Sequence, residues 1–376
     1  MNETSNVIRD QVFSLPTLLR QQYNDLEPKT RKVLTTPQIF SIQRIVLTGC
    51  GDSYAAGMAM QRVFERLTRL PVELVTAVDL ARFYNEKRLG DAPNNPLVIA
   101  VSNSGSGARV GEAVQRARKH KAFVLGVTKS TETLLGQNSD AIVPLSIPSF
   151  PSAPGTRSYL VSLLALLLLA IRIGEVRGCY TMDHATSMRK DILDQADRLE
   201  EMLPSIDMHM LDVAKRWKHL EAWDFVGAGS DYATAWFGQA KVMEATGQYA
   251  MHINSEEWLH LNFFMRKSTQ LGTVVVASAD NAALSRTKEM LSYAKILQRP
   301  LLLVTDSIQQ DVEGTQVLYP ARAVVDSLSL FQFVPISLLV GYVMQLIGEE
   351  HGRGCTGLWE FCQGGAAVKN SAIEIL

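Results

Sequence analysis

The chain repeats one order of elements twice, and this duplication limits its fold more than any other feature of the sequence. In the first copy, an apolar strand at Arg44–Thr48 leads into a glycine turn and a helical pattern, and a second strand then runs into a serine-rich loop, a helix and a third strand. About 180 residues later, from Asp224, the same order recurs. Apolar strands separated by helical segments predict βαβ units with right-handed crossovers, and hence an α/β protein with parallel sheets.

Hydrophobic runs and turn residues set the expected boundaries of these elements. In the first copy we expect strands at 44–48, 97–101, 123–127 and 141–145, with helices at 54–67 and 110–120. In the second copy we expect strands at 224–226, 273–277 and 301–304, with helices at 232–246, 283–297 and 334–347. A helical lead-in comes first, and Pro28 and Pro37 are expected to break it.

The elements divide the chain into four expected parts. Residues 1–178 form a first α/β domain with the helical lead-in, and residues 179–215 form a helical connector. Residues 216–348 form the second domain, and residues 349–376 form a C-terminal tail. Each domain is expected to be a doubly wound parallel sheet flanked by helices, of the flavodoxin-like kind.

The charge balance argues against nucleic acids and membranes as partners. Lys plus Arg number 37 and Asp plus Glu number 38, which gives a net charge of −1, so no basic field attracts a polyanion. The longest apolar run, Tyr159–Ile171, is 13 residues long and too short to cross about 30 Å of hydrocarbon. We therefore expect a buried core helix there, no membrane partner and no nucleic-acid partner.

The cysteines and the N-terminal residues bear on the compartment. The four cysteines form no C-x-x-C pair and no zinc-ligand spacing with histidine. The first twenty residues lack the basic start and apolar stretch of a signal peptide. We expect reduced thiols in a cytoplasmic protein, without a metal or another cofactor.

Two loops that follow neighbouring strands carry the residue types of an anion site. Ligands of open α/β sheets bind beyond the carboxyl ends of the strands, where Ser102–Gly107 and Gly51–Ser53 are expected to lie. Hydroxyl groups and the free amides of a helix N-terminus bind anions without a lysine. Helix capping is the structural alternative for such residues, but two loops of this kind favour a phosphate ligand. The predicted binding residues here are Asp52, Ser53, Ser102, Asn103, Ser104, Ser106 and Gly107.

The motifs GCGDSYAAG at 49–57 and VSNSGSG at 101–107, with the repeated layout, resemble the SIS (sugar isomerase) domain, present twice. The arrangement resembles the isomerase half of glucosamine-6-phosphate synthase and stand-alone relatives such as ketosamine-6-phosphate deglycases and amino-sugar-phosphate deaminases. The resemblance covers about residues 35–376. It implies a phosphosugar substrate whose phosphate meets Ser53, Ser102 and Ser104. The chain departs from the family pattern at Gly107, where a threonine is usual, and at Asp52, where a hydroxyl residue is common.

The same resemblance assigns further residues to the site. It implies that Glu244 moves a proton at C1–C2 of the sugar, and that His260, sixteen residues later, assists ring opening from the partner subunit of a homodimer or larger homo-oligomer. It implies that the tail closes on the active site with Lys369, whose amine can form a Schiff base with a ketose, and that Thr156 lies in a segment that covers the sugar. The alternatives from the residues alone are an ion pair of Glu244 with Lys241, a packing role for His260 and a solvated Lys369.

The resemblance implies an enzyme that acts at C1–C2 of a 6-phosphorylated ketosamine or amino sugar. A deglycase and an aminosugar-phosphate isomerase or deaminase both remain open. A non-catalytic regulatory protein that binds a phosphosugar is the alternative from another class of function.

Overall fold

Two parallel five-stranded sheets form the framework of the protein. The computed structural model describes residues 5–90, 96–362 and 366–376. The first sheet contains β1 (Arg44–Gly49), β2 (Val72–Thr76), β3 (Pro96–Val101), β4 (Phe123–Thr128) and β5 (Ala141–Pro144). The second sheet contains β6 (Ala222–Val226), β7 (Tyr249–Ile253), β8 (Leu271–Val276), β9 (Leu301–Thr305) and β10 (Thr315–Leu318).

The two sheets have the same strand order. The first runs β2-β1-β3-β4-β5, and the second, from its β7 edge, runs β7-β6-β8-β9-β10. This is the flavodoxin-like order. The chain adds β2 on one side of β1 and then adds β3, β4 and β5 on the other side, so the reversal point of the strand order lies between β1 and β3. The predicted α/β class with parallel, helix-flanked sheets is therefore confirmed.

Helices cover both faces of each sheet and fill the space between the sheets. Their bounds are α1 (Val7–Phe13), α2 (Leu15–Lys32), α3 (Thr36–Ser41), α4 (Asp52–Thr68), α5 (Ala77–Arg82), α6 (Ala108–Lys119), α7 (Leu134–Gln137), α8 (Thr156–Val176), α9 (Met182–Trp217), α10 (Tyr232–Thr246), α11 (Ser255–His260), α12 (Leu284–Ile296), α13 (Val334–Leu346) and α14 (Ala366–Lys369). Residues 179–215, expected as a connector, contribute most of α9. This helix packs against α2, α8 and α13, so it belongs to the core as well as linking the two sheets.

The sequence analysis missed three strands, and all three lie at sheet edges. β2, β7 and β10 are partly exposed along most of their length, so they lack the continuous apolar run by which the inner strands were recognised. The expected break at Pro28 is also wrong, because α2 continues to Lys32. Pro28 is exposed, whereas Leu26 and Thr30 beside it are buried, and this packing holds the helix together.

A buried helix, α8, joins the cores of the two halves. Tyr159 of α8 stacks on Phe237 of α10 with ring centroids 4.3 Å apart and meets the edge of Phe333 at 5.1 Å. By length and composition α8 is the one described helix that could cross a membrane, yet most of it is buried inside the protein. The apolar run Tyr159–Ile171 thus serves as the shared core of both sheets.

We predict that Leu164→Ala destabilises the protein strongly. Leu164 is 0 % exposed, so truncation removes buried apolar surface and leaves a cavity, a change that costs about 2–5 kcal/mol. Ile296→Ala is the control, because Ile296 is 73 % exposed and its truncation should change the free energy of unfolding by no more than about 0.5 kcal/mol. Urea unfolding followed by tryptophan fluorescence measures both. Equal effects of the two variants would contradict a shared core at α8.

Candidate functional site

The two predicted binding loops converge at the reversal point of the first sheet. Gly49 at the end of β1 is the register partner of Val101 at the end of β3. A Cβ built on Gly49 would lie 3.0 Å from the carbonyl oxygen of Val101 and 3.1 Å from the Cβ of Ser53. The loop that begins at Ser102 and the turn that carries Ser53 therefore meet where open α/β sheets bind ligands.

Gly105 shapes the serine-rich loop, Ser102–Gly107. Its φ is +64°, and a Cβ there would lie 2.3 Å from the hydroxyl of Thr133 and 2.4 Å from that of Thr128. The amide of Gly105 donates to the backbone carbonyl and to the Oγ of Ser102, both at 3.1 Å. The tight turn presents Ser104 to solvent, with the Oγ of Ser106 donating to the Oγ of Ser104 at 3.1 Å.

Neither helix that follows these loops is capped by a side chain. Gly107 is the N-cap of α6 and Gly51 is the N-cap of α4, and neither helix start receives a side-chain cap hydrogen bond. The capping alternative for the serines is therefore not what the structure shows. At the start of α4 the amides of Ser53 and Tyr54 already donate to the carbonyls of Cys50 and Gly51. The first amides of α6 have no such backbone partner and remain free to bind an anion.

We call the space between Ser53 and the serine-rich loop the anion cradle. The second sheet provides an internal comparison for this cradle. In the repeat, Asp231 takes the place of Ser53, and Ser278 lies in the loop that follows β8, as the serine-rich loop follows β3. The carboxyl group of Asp231 accepts hydrogen bonds from the amide and the Oγ of Ser278, both at 2.8 Å. Burial raises the pKa of Asp231, although the hydrogen bonds from Ser278 and its neighbours oppose the shift. In the second copy, the loop that follows β8 thus binds a carboxyl group of the chain itself.

A buried lysine, Lys241, connects Asp52 at the start of α4 with Glu244 on α10. The Nζ of Lys241 lies 2.9 Å from the Oδ2 of Asp52 and 2.6 Å from the Oε2 of Glu244. Lys241 is only 2 % exposed, whereas 48 % of the Glu244 side chain is exposed. The ion pair expected as the alternative for Glu244 is therefore present, and it extends to Asp52. Asp52 does not stand as a free charge beside the cradle, because Lys241 compensates it.

The contacts within this trio shift the pKa of Lys241 and of Glu244. Burial opposes the charged form of Lys241, but the carboxylates of Asp52 and Glu244 outweigh burial and hold the pKa of its ammonium above the ordinary value. Desolvation raises the pKa of Glu244, and the negative charge of Asp52 adds to this rise while Lys241 opposes it. A carboxylate with a raised pKa that reaches solvent has the properties of a general base.

Glu244 lies on the wall of a cleft of ≈ 790 Å³. The other walls come from the segment Ser152–Pro154 and from the C-terminal part of the chain, including His351, Arg353 and Trp359. Arg353 lies over the Trp359 ring with 5.9 Å between its Cζ atom and the ring centroid. Its Nη1 is buried and has no hydrogen-bond partner among the described residues. The cleft thus combines a carboxylate, a histidine and a guanidinium.

Thr156 is not directed at the cleft. It is 1 % exposed, and its hydroxyl donates to the Oε1 of Gln11 at 2.6 Å. The side-chain amide Nε2 of Gln11 in turn donates to the backbone carbonyl of Pro151 at 2.9 Å. In this conformation Thr156 fixes the segment before α8 and is not available to a ligand, so its assignment as a substrate-binding residue is not supported by its surroundings.

His260 lies away from Glu244 within its own chain. It ends α11, its side chain is 66 % exposed, and its ring nitrogen lies 3.4 Å from Glu256. It is neither the packed core histidine of the structural alternative nor a member of the cleft. The Nδ1 of His252, the other histidine of this region, lies 2.7 Å from the Oε1 of Gln239, and burial lowers the pKa of its imidazole.

The tail runs beside the serine-rich loop. Lys369 is exposed at the end of α14, which contacts α6, the helix that follows the loop. Arg109 near the start of α6 donates to the Oγ of Ser371 at 3.2 Å and to the carbonyl of Ala372. The tail is thus close to the cradle, and the structure gives Lys369 no ion-pair partner among the described residues.

The link from Lys241 to Asp52 and the cleft residues His351 and Arg353 were not predicted from the sequence. Lys241 was noted as a partner of Glu244, and its position three residues earlier on the same helix was the available signal. Nothing in the sequence tied Lys241 to Asp52, 189 positions away. His351 and Arg353 reach the cleft from an irregular segment that carries no motif. Among the described residues, no group of three His, Cys, Asp or Glu side chains could hold a metal ion.

We predict that Gly105→Ala and Gly107→Ala differ sharply in stability. An alanine at 105 must adopt a positive φ and meets the two threonine hydroxyls, so the free energy of unfolding should fall by about 1–3 kcal/mol. At Gly107 φ is −68° and the nearest neighbour of an added Cβ is 3.8 Å away, so that change should be close to neutral. Urea denaturation of both variants decides the matter. Equal stabilities would mean that the turn at 105 is not the constraint described.

Comparison with known proteins places this geometry in a family. The model of the SIS domain matches residues 38–172. The isomerizing glutamine–fructose-6-phosphate aminotransferase of Clostridium acetobutylicum is 26 % identical over 317 residues, which cover 81 % of this chain and 50 % of that protein. The chain therefore spans about half the length of this curated relative.

Solved structures show the same fold over nearly the whole chain. The C-terminal domain of the glucosamine–fructose-6-phosphate aminotransferase from Francisella tularensis superposes with a TM-score of 0.82 at 17 % identity, covering 92 % of this chain and 98 % of that one. Tagatose-6-phosphate ketose/aldose isomerase from Escherichia coli gives 0.75 at 17 % identity, with 93 % and 95 % covered. These structures show the fold, and the SIS-domain model that matches residues 38–172 confirms the resemblance to SIS proteins.

Proposed function

We propose that the protein is an enzyme that holds a sugar phosphate by its phosphate group in the serine-rich loop and moves a proton at C1–C2 of the sugar. One observation carries this proposal: Lys241 joins Asp52, which precedes Ser53 of the anion cradle, to the carboxylate of Glu244. An anion site and a candidate base therefore belong to one connected site.

The known relatives support the substrate class. The aminotransferase relative and the isomerase of the same fold are named for fructose 6-phosphate and tagatose 6-phosphate. Both names describe ketose phosphates, whose chemistry at C1–C2 involves proton transfer. We carry this class to the present chain as a proposal and include 6-phosphorylated ketosamines and amino sugars.

The cradle would act by hydrogen bonding rather than by a cationic side chain. The hydroxyls of Ser53, Ser102 and Ser104 and the first amides of α6 would donate to the phosphate oxygens. Asn103 is held by its carbonyl, which accepts from the amide of Lys129 at 3.2 Å, and this fixes the course of the loop. Ser106 supports Ser104, and Gly107 leaves the start of α6 open.

Glu244 would act as the base on the sugar carbons. Its raised pKa makes it a stronger proton acceptor than an ordinary carboxylate, and its position on the wall of the cleft leaves it open to solvent. Lys241 keeps the carboxylate of Glu244 oriented. Its positive charge partly offsets the destabilisation of the carboxylate by burial. Proton transfer between C1 and C2 requires such a group on one face of the open-chain sugar.

The acid and the tail lysine complete the proposed site. His260 would reach the cleft of a partner subunit in a homodimer, because its own chain keeps it exposed and away from Glu244. Within one chain, His351 lines the cleft with Glu244 and is the competing acid. Lys369, close to the cradle, would form a Schiff base with a ketose, which favours an isomerase or deaminase over a deglycase.

We predict distinct losses for two variants in a panel of fructosamine 6-phosphates, glucosamine 6-phosphate and ketose 6-phosphates. Glu244→Gln should retain binding but lose turnover by at least about a hundredfold, the usual contribution of a general base. Ser104→Ala should weaken binding by about 1–2 kcal/mol, the scale of one hydrogen bond to a charged group.

Binding by calorimetry and turnover by product detection separate the outcomes. A wild-type protein that binds these sugars and converts none of them would be a non-catalytic phosphosugar-binding protein. Unchanged binding by Ser104→Ala would remove that residue from the site, and full turnover by Glu244→Gln would exclude it as the base.

We predict that Asp52→Asn moves the acidic limb of the kcat/KM profile to lower pH. The charge of Asp52 helps to raise the pKa of Glu244, so its removal lowers that pKa, and the base stays ionised in more acidic solution. Lys241, released from Asp52, then pairs with Glu244 alone and shifts the pKa in the same direction. Glu313→Gln is the control, since Glu313 is 77 % exposed and pairs with Lys295. A limb that stays in place or moves upward contradicts the assignment.

A further inference from the structure

A second cavity lies at the reversal point of the second sheet. It has a volume of ≈ 470 Å³ and is bounded by α4, by the turns that follow β6 and β8, and by residues 322–328. By the internal repeat, this is the place that corresponds to the serine-rich loop of the first sheet. We call it the arginine cavity, because Arg62, Arg66 and Arg322 line it.

The three guanidinium groups are unequally paired. Arg66 lies 3.1 Å from Asp326, and Arg322 pairs with Asp280 at 2.5 Å. Arg62 forms no ion pair or side-chain hydrogen bond within residues 5–90, 96–362 and 366–376. It lies near Gly229, where an added Cβ would be 4.0 Å from its Nε. One guanidinium therefore faces the cavity without a counter-charge.

The polar floor of the cavity is already in use. The amide and the hydroxyl of Ser278, in the loop that follows β8, already donate to the carboxyl group of Asp231. A ligand anion thus cannot use the cradle of the repeat and must be held by guanidinium groups instead. Ser327 adds a hydroxyl: the residue is 1 % exposed, and its Oγ has no hydrogen-bond partner among the described residues.

We propose that the arginine cavity binds a second phosphorylated small molecule, through its phosphate monoester, at a site separate from the serine-rich loop. Guanidinium groups recognise phosphate by paired, charge-assisted hydrogen bonds. Arg62 supplies the uncompensated charge, and Arg66 and Arg322 stand beside it. Helix α4 joins the two sites, since Asp52 begins the helix and Arg62 follows ten residues later, roughly 15 Å along its axis.

Equilibrium dialysis of the full chain with inorganic phosphate tests the site, followed by glucosamine 6-phosphate and adenosine monophosphate to distinguish sugar from nucleotide monoesters. Arg62→Gln should weaken one class of phosphate binding by about tenfold, as expected for the loss of a charged hydrogen bond. Arg266→Gln is the control for charge, because Arg266 is exposed and lies outside the cavity. Ser104→Ala should weaken the other class and leave the Arg62-dependent class intact.

The outcomes separate this site from the proposed function. Loss of phosphate binding in Arg62→Gln, with Arg266→Gln unchanged, supports the arginine cavity even if the serine-rich loop proves to bind nothing. Identical isotherms of Arg62→Gln and wild type overturn it, as does the removal of all phosphate binding by Ser104→Ala alone. A crystal structure of Ser104→Ala grown with phosphate gives the independent reading, since an empty arginine cavity there also refutes the site.

Discussion

The buried ammonium of Lys241 is the interaction on which the site depends. A lysine that is 2 % exposed is stable as a cation only if partners replace the water it has lost. One partner, Glu244, is on its own helix, and the other, Asp52, begins a helix of the first sheet. The two sheets must therefore keep one relative placement. That placement fixes the distance between the anion cradle and the cleft of Glu244.

Local patterns in the sequence predicted the central strands and the cradle. The runs before Gly49 and before Ser102 are apolar because they are buried on both faces, and the loops after them must meet because parallel strands end at one edge. The edge strands β2, β7 and β10 were not predicted, because they are partly solvated and lack a continuous apolar run. Thr156 was assigned to the site by the resemblance of its segment to one that covers the sugar, yet its hydroxyl donates to Gln11, 145 positions away. Contacts of that range leave no periodic signal.

The residues of the cleft show the same limit. The predicted members, Glu244 and His260, lie on elements recognisable from the sequence, and yet only Glu244 reaches the cleft of its own chain. Arg353 and His351 arrive from an irregular segment. The two copies of the repeat differ at one decisive position: Ser53 leaves its cradle open, whereas Asp231 fills the equivalent one with a carboxyl group. One backbone plan thus carries an open loop in the first sheet and, in the second, a loop occupied by a carboxyl group of the chain itself.

Helix α1 is packed against α13, and this contact has a consequence for biosynthesis. Arg9 lies 2.8 Å from Asp207, to which the hydroxyl of Tyr342 also donates at 2.5 Å, and a Cβ on Gly341 would lie 3.1 Å from the Cβ of Ile8. Helix α1 therefore docks on a helix that lies more than 300 residues later in the chain and is synthesised after it. Until α13 emerges, the face of α1 that packs on it has no permanent cover, so the nascent first half is the stage at which a chaperone would have this surface to bind.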